Sequence, residues 1–177
     1  PTRIRTARQH AANKEGAAMT ANIYSVDYYY TTVEDSPGQG CRFLETLASE
    51  EVNLIAFNAF PVGRDRTQLV IYPLNATWLG DMARHEGLRL VGPHHAFIVH
   101  GDDELGALVS IHQKLCDANI NVSSANGITD GRGGYRYIMH VHPDDYERAL
   151  QILDVDQNTK SLADFHLDLH RRFEQKG

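Results

Sequence analysis

Apolar and polar positions alternate along the chain in two distinct periods. Residues 23–33 are rich in β-branched and aromatic side chains and predict a strand. Glu34-Asp35-Ser36-Pro37-Gly38 interrupts it, after which Phe43, Leu44, Leu47 and Ala48 recur at helical spacing to about residue 50. Residues 52–62 and 67–73 then read as two strands joined by a turn at Gly63-Arg64-Asp65. Asn75 suits the cap of a second helix whose apolar stripe is Trp78, Leu79, Met82 and Ala83. Gly87 ends that helix, and residues 88–91 form a short fourth strand.

The same grammar then starts again. Residues 96–101 predict a strand, and 104–118 a helix with Leu105, Leu108, Ile111, Leu115 and Cys116 inward. Residues 120–128 and 135–142 predict strands, with Asp130-Gly131-Arg132-Gly133-Gly134 as their turn. Pro143 opens a helix to about residue 153. Residues 154–159 are polar and make a poor fourth strand. A shift of 68 positions lays Gly38 on Gly106, Leu47 on Leu115, Asn53 on Asn121, Val70 on Ile138 and Trp78 on Tyr146. Apolar matches apolar without a gap over about fifty positions, the mark of an internal duplication. The expected class is α+β: two ferredoxin-like βαββαβ repeats with antiparallel sheets, over residues 21–93 and 94–160. A final helix over 161–177 follows, with a capping box at Ser161 and Asp164 and a stripe of Leu162, Phe165, Leu169 and Phe173. Its stripe calls for burial on the open sheet face of a copy or of a partner subunit.

Composition narrows the function classes. In 177 residues the hydrophobic share is 42% and the net charge −6, which gives a real core and no general attraction to nucleic acid or an anionic membrane. Residues 1–20 carry Arg3, Arg5, Arg8 and Lys14 without an apolar stretch, so they read as a disordered or non-native tail, with Met19 as an alternative start. Two cysteines, Cys41 and Cys116, expected on helix faces in the core, offer neither a disulfide framework nor metal-site spacing, and point to the cytoplasm.

At the strand-to-helix loops the sequence resembles the ACT domain, an amino-acid-sensing module of metabolic enzymes. The residues are Asp35-Ser36-Pro37-Gly38 in the first copy and Gly106-Ala107-Leu108-Val109 with Asn119-Ile120-Asn121-Val122 in the second. The second set is similar to the regulatory segment of prephenate dehydratases. Asn126-Gly127-Ile128-Thr129 stands where those enzymes carry Glu-Ser-Arg-Pro, which argues against phenylalanine as the ligand. The resemblance implies a regulatory protein without catalytic activity or cofactor that binds an amino acid or a similar small metabolite. The ligand would lie between two loops, formed by Asp35, Ser36, Pro37, Gly38, Gln39 and Gly40 with Asp103, Gly106 and Ala107. Glycine admits close approach of the backbone, unpaired helix-start amides suit a carboxylate, and Asp35 or Asp103 suits an ammonium. The side-chain amides of Asn53 and Asn121 serve either group.

Other chemistry was weighed against these residues. His100, His140 and His142 have the parity to share the open face, either as metal ligands or packed against another element such as a helix bearing His166 and His170. Asp102-Asp103-Glu104 complements a helix dipole, and no Ser-His-Asp or Cys-His pattern is evident. Tyr28 and Tyr30 would form an aromatic open face with Val70 and Tyr72, covered by the tail helix, by the second copy, or by a partner in a homodimer. The alternative function is an interaction or dimerisation module that docks on a partner enzyme and has no ligand of its own.

Overall fold

Residues 21–155 are described here from a computed structural model. The order is β1 (Asn22–Glu34), α1 (Gln39–Ser49), β2 (Leu54–Pro61), β3 (Arg66–Pro73), α2 (Ala76–His85), β4 (Val91–Asp102), α3 (Val109–Asp117), β5 (Val122–Thr129), β6 (Gly134–Val141) and α4 (Tyr146–Ile152), with a short 3-10 turn at Pro143–Asp145. All six strands join one antiparallel sheet in the order β2-β3-β1-β4-β6-β5. The architecture is thus α+β.

The two central strands carry the arrangement. β1 spans 13 residues and β4 spans 12. The outer part of β1, Tyr29–Glu34, pairs with β3, while its early part, from Asn22 to Tyr28, pairs with β4. β4 in turn pairs with β6 through Phe97–Asp102. Of the short strand expected at 88–91 only Val91 is strand; it opens β4, which runs through the strand expected at 96–101, so the expected boundary at 93/94 falls inside β4. Asn22–Val26 occupies the place beside β4.

The helices cover one face over two apolar clusters. Tyr29, Leu47, Ile71, Leu79 and Met82 make the first, under α1 and α2. Phe97, Val99, Ile111, Leu115, Met139, Ala149 and Leu150 make the second, under α3 and α4. A third cluster of strand residues, among them Tyr24, Val26, Val70, Tyr72, Ala96 and Ile98, fills the opposite face. That face is deeply concave. Six strands laid flat would hold their edges about 24 Å apart. Here Asn126 on β5 donates to Asn58 on β2 at 3.4 Å, and Tyr72 on β3 bonds Nε2 of His140 on β6 at 2.9 Å. The sheet has curled into a trough whose edges touch. Tyr28 and Tyr30, expected at an aromatic dimer face, instead pack within the chain on Tyr72, His94 and His140, with ring centroids 5.1–5.5 Å apart.

Several helix details differ from expectation. α3 starts at Val109 rather than 104, because Gly106 adopts φ +84° and the preceding residues close i→i+3 turns instead. Leu105 is consequently fully exposed. Trp78 is about half-exposed, and Cys41 and Cys116 lie on the solvent side of their helices. The 1–20 tail, residues 156–160 of the second repeat and the 161–177 helix lie outside the described residues.

Because β1 supplies Ile23 to the second core and Tyr29 to the first, and pairs with β4 beneath the second, loss of packing in one should destabilise the other. Phe97→Ala removes a fully buried ring from the second core and is expected to cost about 3–5 kcal/mol. In denaturant titrations the fluorescence of Trp78, which reports on the first core, should shift together with far-ultraviolet circular dichroism. Two separated transitions would show that the halves unfold independently.

Candidate functional site: a cavity at the start of α3

The sequence placed eleven residues at one site, and the sheet divides them. Asn22 pairs with His100, so the outer end of β1 and the outer end of β4 point in opposite directions. The loop at 35–40 follows one and the loop at 103–107 follows the other, about 40 Å of strand apart. They do not share a ligand within one chain. The asparagines separate further. Asn53 precedes β2 and Asn121 precedes β5, each beyond the C-terminal end of its helix and so a helix length from Gly38 or Gly106. Asn121 borders a polar cavity of about 750 Å³ together with His112, Cys116, Ser124 and Asp145.

The two loops are built alike. Gly38 has φ +90° and Gly106 has φ +84°, and each turns the chain into the helix that follows. The Asp35 amide donates to the Asp65 carbonyl at 2.9 Å, and 68 positions on the Asp103 amide donates to the Gly133 carbonyl at 2.9 Å. Their chemistry is unlike. In the first loop the Asp35 carboxylate accepts from the Thr67 hydroxyl at 3.0 Å. Ser36, Pro37, Gln39 and Gly40 stay on the surface around it, Gln39 and Gly40 half-buried.

The second loop instead borders a cavity of about 400 Å³. Asp103, Glu104, Gly106 and Ala107 form one wall, and Ile128, Tyr135, Arg136 and Tyr137 the other. At its base, Tyr135 is buried, and its hydroxyl has no hydrogen-bond partner among the described residues. Burial, and after it the nearby Asp102 carboxylate, raises the Tyr135 pKa, so the hydroxyl stays protonated and able to donate at neutral pH. A buried polar atom without a partner is uncommon and marks a place for one. Tyr137 is satisfied by His112 at 2.7 Å. The first turn of α3 has no acidic residue, its Val109 amide donates to the Gly106 carbonyl at 2.9 Å, and Asp103 and Glu104 line the same cavity, so only the Ser110 and Ile111 amides are candidates for a ligand. The cavity thus combines apolar walls with the start of α3, and the Tyr135 ring that lines it keeps its hydroxyl enclosed over Gly101.

No protein-family model and no curated protein matches this chain in sequence. Among solved structures the chain is similar to protein BT0572 from Bacteroides thetaiotaomicron, with TM-score 0.62, 14% identity, and coverage of 76% of this chain and 92% of that one. It is also similar to the ligand-free regulatory subunit of aspartate kinase from Thermus thermophilus, with TM-score 0.52, 13% identity, and coverage of 78% and 97%. The fold is of the ACT type. At such identities the likeness concerns the fold alone.

Within this ACT-type fold the sequence missed Tyr135, Tyr137, Ile128 and Arg136. They come from β5 and β6, where the sequence pointed instead to the departure of Asn126–Thr129 from the Glu-Ser-Arg-Pro motif and to His140 and His142. The available signal was Tyr135 standing 68 positions after Thr67, a large ring where the first half has a small hydroxyl. The metal reading of the histidines finds no support in their placement. His100 stacks on Tyr24, His140 bonds Tyr72, and His142 accepts from the Asp144 amide at 3.3 Å. Among the described residues no group of three metal-binding side chains gathers.

His140 has a different consequence. Burial holds its pKa below the ordinary 6.5, with the Ser124 backbone opposing the shift. The unfolded chain therefore takes up the proton first as the pH falls. The stability that neutral His140 contributes is full above pH 6.5 and is lost as the pH drops below that value toward the folded pKa. Urea midpoints measured at about pH 7.5 and about pH 5.5 should fall on acidification, and the fall should be smaller in His140→Gln, which cannot titrate. An equal fall in both proteins would assign the acid sensitivity elsewhere.

Proposed function

We propose that this chain is a non-catalytic sensor of a small metabolite, an amino acid or a compact relative, which reports ligand binding to another protein. The cavity between the start of α3 and strands β5 and β6, lined by Tyr135, carries this reading. A carboxylate at the α3 amides leaves an apolar portion against Val109, Ile128 and Tyr137. A fold shared with a kinase regulatory subunit supports the regulatory part, by analogy. Free, exposed cysteines fit a cytoplasmic setting, and no described helix is long and apolar enough to cross a membrane.

We read the chain as two repeats related by an internal twofold axis. Three pairs of residues 68 apart touch each other: Asp27 with His95 at 2.8 Å, Tyr72 with His140, and Asn58 with Asn126. A residue meets its own equivalent only where a twofold axis passes between them. On this reading Asn22–Val26 supplies the last strand of the second repeat, and the start of β4 supplies that of the first. The ligand loop of the first repeat, with Asp35 already bonded, serves as scaffold.

A second reading, docking on a partner enzyme, draws on the rim of the same cavity. Leu105 is fully exposed, Val109 is 64% exposed and Ile128 72%. A partner that covers these side chains would close the cavity and couple ligand to assembly, as a homodimer contact also would.

A thermal-shift screen against the twenty amino acids tests the sensor. A native-state ligand at a hundredfold excess over its dissociation constant adds about 2.7 kcal/mol of stability. One chemical class should raise the melting temperature, and Tyr135→Phe and Gly106→Val should each reduce that shift. Gly106→Val itself strains the backbone by roughly 1–2 kcal/mol at its positive φ, so each variant is compared with its own ligand-free baseline. A shift that survives both substitutions would place the ligand outside this cavity, and no shift with any amino acid would favour the docking reading.

A further inference from the structure

The concave face is buried unequally at its two ends. At the end formed by the start of β1 and the finish of β4, Tyr24 and Ile98 are each 2% exposed and His100 is 7%. The positions related to these by 68 lie at the other end. There Gly92 and Thr32 are exposed and Tyr30 is half-buried. No described helix lies on this face, since the helices pack on the first and second cores and the trough cluster consists of strand residues alone. Curling of the sheet covers the middle of the trough through Tyr72, His140, Asn58 and Asn126, and does so for both halves alike. It therefore does not explain the difference between the ends.

We infer that residues 161–173 of this same chain pack their apolar stripe across the deep end of the trough, on Tyr24, Ile98 and His100. The point where the described chain stops selects this segment. α4 runs antiparallel to β6 and delivers Val155 to the second core, which also holds Ile23, Val99 and Ala107. These residues flank the end of the sheet where Tyr24 and His100 sit on the other face. Five residues, 156–160, extend at most about 17 Å, enough to pass round a layer about 10 Å thick. A 13-residue helix is then about 20 Å long, the width of four strands. Its stripe of Leu162, Phe165, Leu169 and Phe173 repeats at helical spacing. The 1–20 segment also joins the sheet at this end but offers only Ile4 and Met19 as large apolar side chains. A third layer over the second repeat makes the two ends of the molecule unlike and leaves the shallow end, at Thr32 and Gly92, as the uncovered one.

Hydrogen exchange on the full chain tests the assignment. In the double variant Phe165→Asp and Leu169→Asp, amides of 22–26 and 97–101 should exchange roughly tenfold faster or more, while those of 66–73 keep their protection and the mass in solution is unchanged. Unchanged exchange at 22–26 and 97–101 would overturn the inference. So would a fall in mass, which would assign the stripe to a second copy. If the double variant loses protection throughout, a cysteine pair at His100 and Phe165, in a chain with Cys41→Ser and Cys116→Ser, gives the answer without disrupting the stripe. On oxidation the inference expects an internal cross-link in the monomer, and a cross-linked dimer or no cross-link would overturn it. None of these outcomes depends on a ligand in the α3 cavity.

Discussion

The antiparallel pairing of β1 with β4, centred where Asp27 faces His95, is the constraint on which the remaining structure depends. Each strand is about twice the length that one small sheet requires, so each serves two neighbours along its length. This pairing merges two sheets into one, gives both helix-covered cores a common floor, and places the two glycine loops at opposite ends. The Asp27–His95 bond itself is half-exposed and adds little energy. The stability of the joint comes from the apolar residues around it, Val26, Ala96, Phe97 and Ile98, all nearly inaccessible to water.

Curling of the sheet follows from the same joint. Long, twisted strands of small and aromatic residues wrap until the polar edge positions meet across the trough. Burial raises the Tyr72 pKa and lowers that of His140, so both are neutral at physiological pH and their hydrogen bond carries no charge into the trough. Aromatic rings on the concave face are consumed by the chain itself. This removes the reason for a dimer through Tyr28 and Tyr30, and moves attention to the apolar rim of the α3 cavity and to the deep end of the trough.

Similar backbones at the two loops carry different side chains, and this difference gives the proposed site its location. Both have a left-handed glycine and the same amide-to-carbonyl bond. Thr67 turns its hydroxyl to Asp35 and spends both groups. Tyr135, at the matching position, packs in the second core over Gly101, and its hydroxyl has no partner among the described residues. Duplication followed by divergence of one strand would convert one loop to scaffold and keep the other for ligand.

By itself the sequence determined the elements and their order. The 2.0 and 3.6 periods, the Gly-rich turns and the shift of 68 predicted every strand and helix found among the described residues, apart from the start of α3 and the separate strand expected at 88–91, and the α+β class with them. Local patterns act over a few residues, so they report local structure well. Tertiary structure alone decided which strands are neighbours. Nothing in the sequence shows that the strand expected at Ala96–Gly101 extends back to Val91, since a strand that serves two partners has the same alternation as two strands in series. For the same reason the eleven candidate residues split. Adjacency of two loops depends on the direction in which β1 and β4 run past each other, and pairing direction is a property of contacts between residues far apart in the chain. That Tyr135 lines the cavity at the start of α3 follows only from the way β6 and α3 pack together.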